Sequence, residues 1–216
     1  MQNKKRMNSI ENLEWRYAVK KFDDQKFLQE TQIDTLKQAF NLTATSYGLQ
    51  PIKLLIIKNK KIQQQLVTHS WNQEQISQAS HLFVICVDTK LDESDIDKYF
   101  DKVKEIRNTP DEIINSFRNY LKNAIAAKTI QDLLSWGKNQ AYLALGNLLT
   151  VCANEKIDSC PMEGFIPEKY DEILKLKEKN LTSVLVLPVG YRAKDDIMTN
   201  QKKIRKSIEE IVFEIS

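Results

Sequence analysis

With 216 residues, 42% of them hydrophobic, the chain is long enough to bury one sizeable core and short for two, so a single domain over 1–216 is expected. Its 32 Lys and Arg against 29 Asp and Glu leave a net charge of only +3, scattered along the sequence, which argues against a nucleic-acid partner. Three cysteines, an odd count, suit a reducing compartment rather than a disulfide framework, and two histidines without partners at ligand-like spacing argue against a metal.

Asn8 and Glu11 stand in capping-box positions for a first helix that runs to about Tyr17, with Ile10 and Leu13 on one face. Ala18 to Phe22 follows as extended chain, in which period two places Lys20 and Phe22 on one side and Val19 and Lys21 on the other. Thr31 with Asp34 opens a second helix carrying Ile33, Leu36, Ala39 and Phe40, before a turn around Tyr47 and Gly48. Ile52 to Lys58 reads as a strand, Lys60 to Ser70 as a helix, and His81 to Asp88, nearly continuously apolar, as a buried strand. A polar helical region comes next, and Pro110 at the first helical position, with Asp111 and Glu112 behind it, starts a helix to about Lys128. Ile130 to Glu155 is helical and apolar on nearly every side in its second half, and is expected to be buried all round. Pro167 to Lys169 begins another helix, Leu181 to Val189 is the third strong strand, and Ser207 with Glu210 caps one turn before Ile211 to Ile215.

Strands mixed with a larger share of helix, without a regular βαβ repeat, give an α+β fold with a central mixed sheet and helices on both faces. The N-terminus lacks an apolar signal core, and the run Ala141 to Ala153 falls short of the ~20 residues that span a bilayer. A cytoplasmic protein without membrane contact is expected.

Five glycines fall in neither a G-x-G-x-x-G nor a P-loop arrangement, so a phosphate would have to be held by side chains. Two basic clusters could do so, Arg16 to Lys20 at a helix end and Lys202 to Arg205, since guanidinium groups grip phosphate bidentately and ammonium supplies a compact charge. Taken alone, each reads more readily as solvated surface. Asn41 to Pro51 and Cys160 to Phe165 read by themselves as turns, with Gly48 and Gly164 able to bring backbone close to a ligand.

The joint order of these pieces resembles the nitroreductase family, the FMN enzymes that include flavin reductases and oxygen-insensitive nitroreductases. R-x-x-x-K-x-F appears as Arg16 to Phe22, S-x-x-x-Q-P as Ser46 to Pro51, and an Asn followed by A-S-H as Asn72 with Ala79 to His81. P-x-E-G-F follows as Pro161 to Phe165, L-P-V-G-Y as Leu187 to Tyr191 and K-x-R as Lys203 to Arg205. The resemblance implies a mainly antiparallel sheet completed by Ile211 to Ile215 of a dimer partner. It implies tightly but noncovalently bound FMN, reduced by NADH or NADPH, and a small electron-poor acceptor such as a nitroaromatic or quinone, in ping-pong turnover.

By the same resemblance Arg16, Lys203 and Arg205 would bind the FMN phosphate, with Tyr17 and Ala18 near the phosphate and ribityl chain. Lys20, Asn72 and Gln75 would face the pyrimidine end of the isoalloxazine, and Pro161, Met162, Glu163 and Gly164 would cover its other face and reach N5. Lys20 and Glu163 are the catalytic candidates. Ala44, Thr45, Ser46 and Gly48 would come from the second subunit, and Phe117 and Tyr120 would line the substrate side. The chain departs from one common form of the pattern at Ala44, Gly48 and Ile52, and Ala18 and Gln75 stand where hydroxyl and basic side chains are common. Two other readings stay open: a flavin, quinone or enone reductase with little nitroreductase activity, and a non-enzymatic interaction protein using the apolar helix Tyr142 to Val151.

Overall fold

The computed structural model describes residues 8–215. Helix α1 (Ser9–Trp15) precedes α2 (Glu30–Asn41), strand β1 (Ile52–Ile57), α3 (Lys60–Val67), α4 (Gln75–Gln78) and β2 (His81–Asp88). Then come α5 (Glu93–Arg107), α6 (Asp111–Ala126), α7 (Ile130–Asn154), β3 (Asp158–Ser159), α8 (Pro167–Ile173), β4 (Leu181–Gly190) and α9 (Ile208–Ile211). The four strands form one antiparallel sheet in the order β1-β2-β4-β3, and a single parallel bridge from Ala18 to Ser159 extends it. The fold is therefore α+β, as the sequence led one to expect.

The unbroken apolar run of β2 has a direct cause: both of its faces are covered. Leu82, Val84 and Cys86 join a core with Leu66, Val67, Ile76, Phe165 and Tyr170, while Phe83, Ile85 and Val87 join a second core with Ala141, Ala144, Leu148 and Cys152 of α7. Alternation thus divides one strand between two layers of helix, and burying that much apolar area is the main driving force for the sheet. A third, smaller cluster of Ile96, Phe100, Ile114, Leu121 and Ile125 welds α5 to α6.

Several local expectations need correcting. Helix α2 begins at Glu30 behind Gln29, whose N–H is accepted by Gln32 Oε1 at 3.0 Å, so Thr31 lies inside the helix. Pro110 is the residue before α6 rather than its first residue. Helix α1 stops at Trp15, and Ile10 and Leu13 face outward while Asn12 is buried, because Asn12 donates to Asn154 Oδ1 at 2.8 Å and ties α1 to the end of α7. On α7, Tyr142 and Leu143 are 46% and 55% exposed, so within one chain this helix is not buried all round. The two-residue β3 is too short for any periodicity to announce.

His81 offers a stability test. It is buried, its Nδ1 lies 2.9 Å from Ser80 Oγ, and that oxygen accepts the Leu28 N–H, so the hydroxyl proton is free to point at a neutral imidazole. Desolvation first, then the nearby Lys58, with smaller help from Lys60 and Lys37, holds its pKa below the ordinary value against the opposing charge of Glu30. A lowered folded pKa means that the unfolded chain takes up a proton the folded chain refuses. The contribution is present above the unfolded value of about 6.5 and is lost as pH falls from there through the lower folded value. His81→Asn should therefore show a smaller loss of Tm than the parent between about pH 7 and pH 5. An equal loss would show that His81 does not titrate this way.

Candidate functional site

The site begins where α1 ends. Asn8 and Glu11 form a reciprocal cap, each side chain accepting the other's backbone N–H at 2.8 to 2.9 Å, and the chain turns extended at Arg16. The Arg16 guanidinium is partly enclosed, and its Nε is buried without a hydrogen-bond partner. Desolvation, with the Arg205 charge next, pushes the Arg16 pKa down. Lys203 reaches back to donate to the Glu14 carbonyl at 2.8 Å and is also lowered, by desolvation and then by Arg16, Arg205 and Arg192.

Arg192 is paired, its Nε donating to Asp158 Oδ1 at 2.7 Å while its guanidinium lies 4.4 and 4.3 Å from the ring centres of Trp15 and Tyr17. Among the described residues no ion pair joins a carboxylate to Arg16, Lys203 or Arg205. Like charges gathered at a cost, with a buried donor left over, suit an anion that accepts several charge-assisted bonds at once. A phosphate fits this donor set.

From Arg16 the chain runs beside β3, with Ala18 bridged to Ser159, and then bends. Asp196, itself buried, accepts the backbone N–H groups of Lys20 at 2.9 Å and Lys21 at 3.3 Å on one oxygen, and Tyr17 Oη donates to the same oxygen at 3.3 Å. This bend overturns the expected period-two arrangement. Val19 and Phe22 are both buried, and Lys20 and Lys21 are both exposed. The two lysines differ in another way: Lys21 is ion-paired with Asp195 at 2.5 Å, whereas the Lys20 charge bears on the buried thiol of Cys160 and lowers its pKa, partly offsetting the rise that burial causes. The chain just before Lys20 is tied to the residue before Cys160, the Val19 N–H donating to the Ser159 carbonyl at 3.4 Å, so the Lys20 bend adjoins the Cys160 to Phe165 loop.

That loop is fixed by β4, since the N–H groups of Cys160 and Met162 donate to the carbonyls of Pro188 at 3.1 Å and Val186 at 2.8 Å. Met162 is buried, Pro161 half-buried, and Glu163 exposed. Tyr142 Oη donates to Glu163 Oε1 at 2.5 Å, and this bond holds the phenol above its ordinary pKa. Facing the loop is the turn Trp71 to Gln75. Asn72 is exposed in a left-handed conformation, and Gln75 is buried with its Nε2 4.0 Å from Cys160 Sγ. Arg16, Lys203, Arg205, Tyr17, Ala18, Lys20, Gln75 and the 160–164 loop thus form one continuous neighbourhood.

Ala44, Thr45, Ser46 and Gly48 lie elsewhere. The Ser46 N–H donates to Gln140 Oε1 at 2.8 Å, and Thr45 Oγ1 accepts the Gln50 N–H at 3.2 Å. Ala44 is exposed, and Gly48, at φ +75°, has Tyr99 so near that an added Cβ would lie 2.9 Å from its hydroxyl. Gln140, which holds Ser46, and Tyr142, which holds Glu163, are two positions apart on α7 and so point to nearly opposite sides of the helix, while Asn154, the partner of Asn12, lies at its far end. Beside this second cluster, Phe117 stacks on Tyr120 with ring centres 6.2 Å apart, and Tyr47 contacts both Phe117 and Trp136. Within one chain the 44–48 loop and the 160–164 loop are thus held on different sides of α7. Sequence reading missed Arg192, Asp196, Gln73 and Tyr142 as site residues; Arg192, directly after L-P-V-G-Y, and Gln73, directly after Asn72, had a motif next to them.

Comparison with known proteins accords with this geometry. A protein of Staphylococcus haemolyticus provisionally named NAD(P)H nitroreductase SH0546 is 30% identical over 214 residues, covering 94% of this chain and 95% of its own. A Bacillus subtilis protein provisionally named NAD(P)H nitroreductase YfkO is 27% identical over 212 residues, covering 92% of this chain and 93% of its own. The crystal structure of a nitroreductase-like protein of Exiguobacterium sibiricum, described in complex with FMN, superposes with a TM-score of 0.83 over 97% of this chain and 98% of that one; at 17% identity it speaks for the fold. The model of the nitroreductase family matches residues 13–191, and the chain belongs to that family.

Proposed function

We propose that the protein is an FMN-dependent NAD(P)H oxidoreductase that works as a homodimer on nitroaromatics, quinones or similar small electron-poor acceptors. The observation that carries this reading is the set of cations at Arg16, Lys203 and Arg205, unpaired by carboxylates among the described residues and including a buried, partnerless Nε, next to the Lys20 bend and the 160–164 loop. FMN, when bound, accepts hydride from NAD(P)H and passes electrons to the acceptor, so the protein has to position and tune rather than supply a nucleophile. Arg16, Lys203 and Arg205 hold the phosphate, Tyr17 and Ala18 border it, and Asn72 and Gln75 meet the polar edge of the ring. Pro161, Met162, Glu163 and Gly164 meet its other side, where Tyr142 holds the Glu163 carboxylate in place. A single open face that admits donor and acceptor in turn gives ping-pong turnover.

Lys20 supplies positive charge where reduction leaves negative charge on the ring. Its neighbour has its own carboxylate partner in Asp195, which separates the two lysines on structural grounds. Lys20→Met should lower the two-electron potential of the bound flavin and slow its reduction by NAD(P)H, while Lys21→Met should do little. Redox titration of both variants at equal FMN occupancy checks this, and an unchanged potential in Lys20→Met would leave that lysine a bystander.

A second copy of the chain brings Ala44, Thr45, Ser46 and Gly48 to the flavin and covers Tyr142 and Leu143. The single turn of α9, opened by the Ser207 N–H to Glu210 bond, takes in Ile211, and Val212, Phe213 and Ile215 follow it; all four are exposed. The outer edge of β1 borders an open groove of about 1010 Å³ that is positive on balance, its lining carrying Lys37, Lys53, Lys90, Lys98, Lys102 and Lys179 against Asp88, Asp92 and Asp95. The tail's Glu209, Glu210 and Glu214 complement that charge, so we place the partner's tail along this edge as an added strand. Sedimentation of FMN-loaded protein should give the mass of two chains; a monomer with full FMN would reject the shared site.

A further inference from the structure

We propose that Gln73 is the positioning residue that sets the ring-edge groups Asn72 and Gln75 against the Pro161 to Gly164 backbone, an inference that rests on the flavin reading above. Its Nε2 donates to the carbonyls of Ser70 and Gly164, each at 3.0 Å, and its Oε1 accepts from Gln75 Nε2 at 3.1 Å. Both N–H donors of the amide and its oxygen are therefore committed, one bond to its own turn, one to the facing loop and one to the next flavin-edge candidate.

The surroundings show why such a brace is needed. Trp71 and Asn72 both sit at φ +55°, a left-handed conformation that is uncommon for residues with a side chain and more so for a bulky one such as Trp71. Two such residues in succession persist only where neighbours over-determine them. The Asn72 N–H donates to the Val67 carbonyl at 3.1 Å and that of Gln73 to Ser70 at 3.1 Å, which fixes the turn on α3 but not on the facing loop. Against the turn lies Gly164, where an added Cβ would come within 2.8 Å of the Trp71 ring and 3.1 Å of Gln73 Nε2. The two segments meet with no space for a side chain, and besides the Gln73 amide a bond from the Ile166 N–H to the His69 carbonyl at 2.8 Å ties them. Because Asn72 and Gln75 flank Gln73 in the chain, one amide governs the spacing between the two sides of the ring. Preorganised spacing of this kind is what a cofactor site requires of residues that never touch the cofactor.

The test compares the full-length parent with Gln73→Met, which removes all three bonds at similar length, and Gln73→Glu, which keeps the shape but presents oxygen to two carbonyls. The readouts are FMN Kd, flavin midpoint potential at equal occupancy, and amide hydrogen exchange across residues 161–166 in flavin-free protein. Gln73→Met is expected to raise Kd about tenfold, the equivalent of one net hydrogen bond. It should also shift the potential and speed exchange at Gly164 and Phe165, and Gln73→Glu should do at least as much. A parent that binds FMN beside variants with unchanged Kd and potential, lowered only in Tm, overturns this inference alone. A parent that takes up no FMN overturns the flavin reading and this inference with it.

Discussion

Arg16→Ala and Arg205→Ala should each yield largely flavin-free protein, with FMN Kd raised about 10- to 100-fold, the range expected for losing a charge-assisted bond to a phosphate. What sets this expectation apart from ordinary damage is its sign in the absence of flavin. Arg205 depresses the Arg16 pKa, and both depress that of Lys203, so these cations repel one another in the chain by itself. Removing Arg205 relieves that repulsion and should leave the flavin-free Tm unchanged or slightly higher while FMN binding weakens. Thermal melts of flavin-free protein, set beside FMN titrations of the same variants, separate the two effects. Full FMN affinity in Arg205→Ala would show that the phosphate lies elsewhere.

The second large effect is expected at Asp196. Its Oδ2 accepts the N–H groups of Lys20 and Lys21, its Oδ1 that of Met198 at 2.9 Å, and it is only 5% exposed. An asparagine keeps one acceptor oxygen and turns an NH2 group toward backbone donors. Asp196→Asn should therefore cost on the order of 3 kcal/mol in stability, because hydrogen bonds to a buried carboxylate are among the stronger ones. It should weaken FMN binding as well, because the same bonds shape the chain from Tyr17 to Lys21. Asp195→Asn, which loses only an exposed pair with Lys21, should change little. Urea melts and FMN titrations of the two variants give the comparison, and equal effects would show that the bend is held by something other than Asp196.

These two residues also mark the border of what the sequence makes legible. The α1 cap, the ends of β2 and the helical stripe of α2 are local patterns, and the structure has them nearly where the pattern puts them. The Arg16 and Lys203 clusters are each ambiguous in the sequence and meet only because the chain near its end returns to α1, where Lys203 finds the Glu14 carbonyl. Asp196 was out of reach, since its effect on Lys20 crosses 176 positions and replaces the regular alternation with a bend. Gln73 was hidden for the same reason, as nothing near it in sequence announces a bond to Gly164. On α7 the pattern reported apolarity correctly but could not say what covers Tyr142 and Leu143, because periodicity describes a surface and not its neighbour.

The most direct test of the flavin reading is a titration of flavin-free protein with FMN, followed by anaerobic addition of NADH and then NADPH while the flavin's visible absorption is recorded. Uptake of one FMN per chain is expected, with bleaching of the absorption band by at least one of the two donors and return of the colour when a nitroaromatic or quinone is admitted. A protein that stays colourless after incubation with FMN would contradict it, and would favour instead a chain that uses its apolar α7 surface to bind a partner.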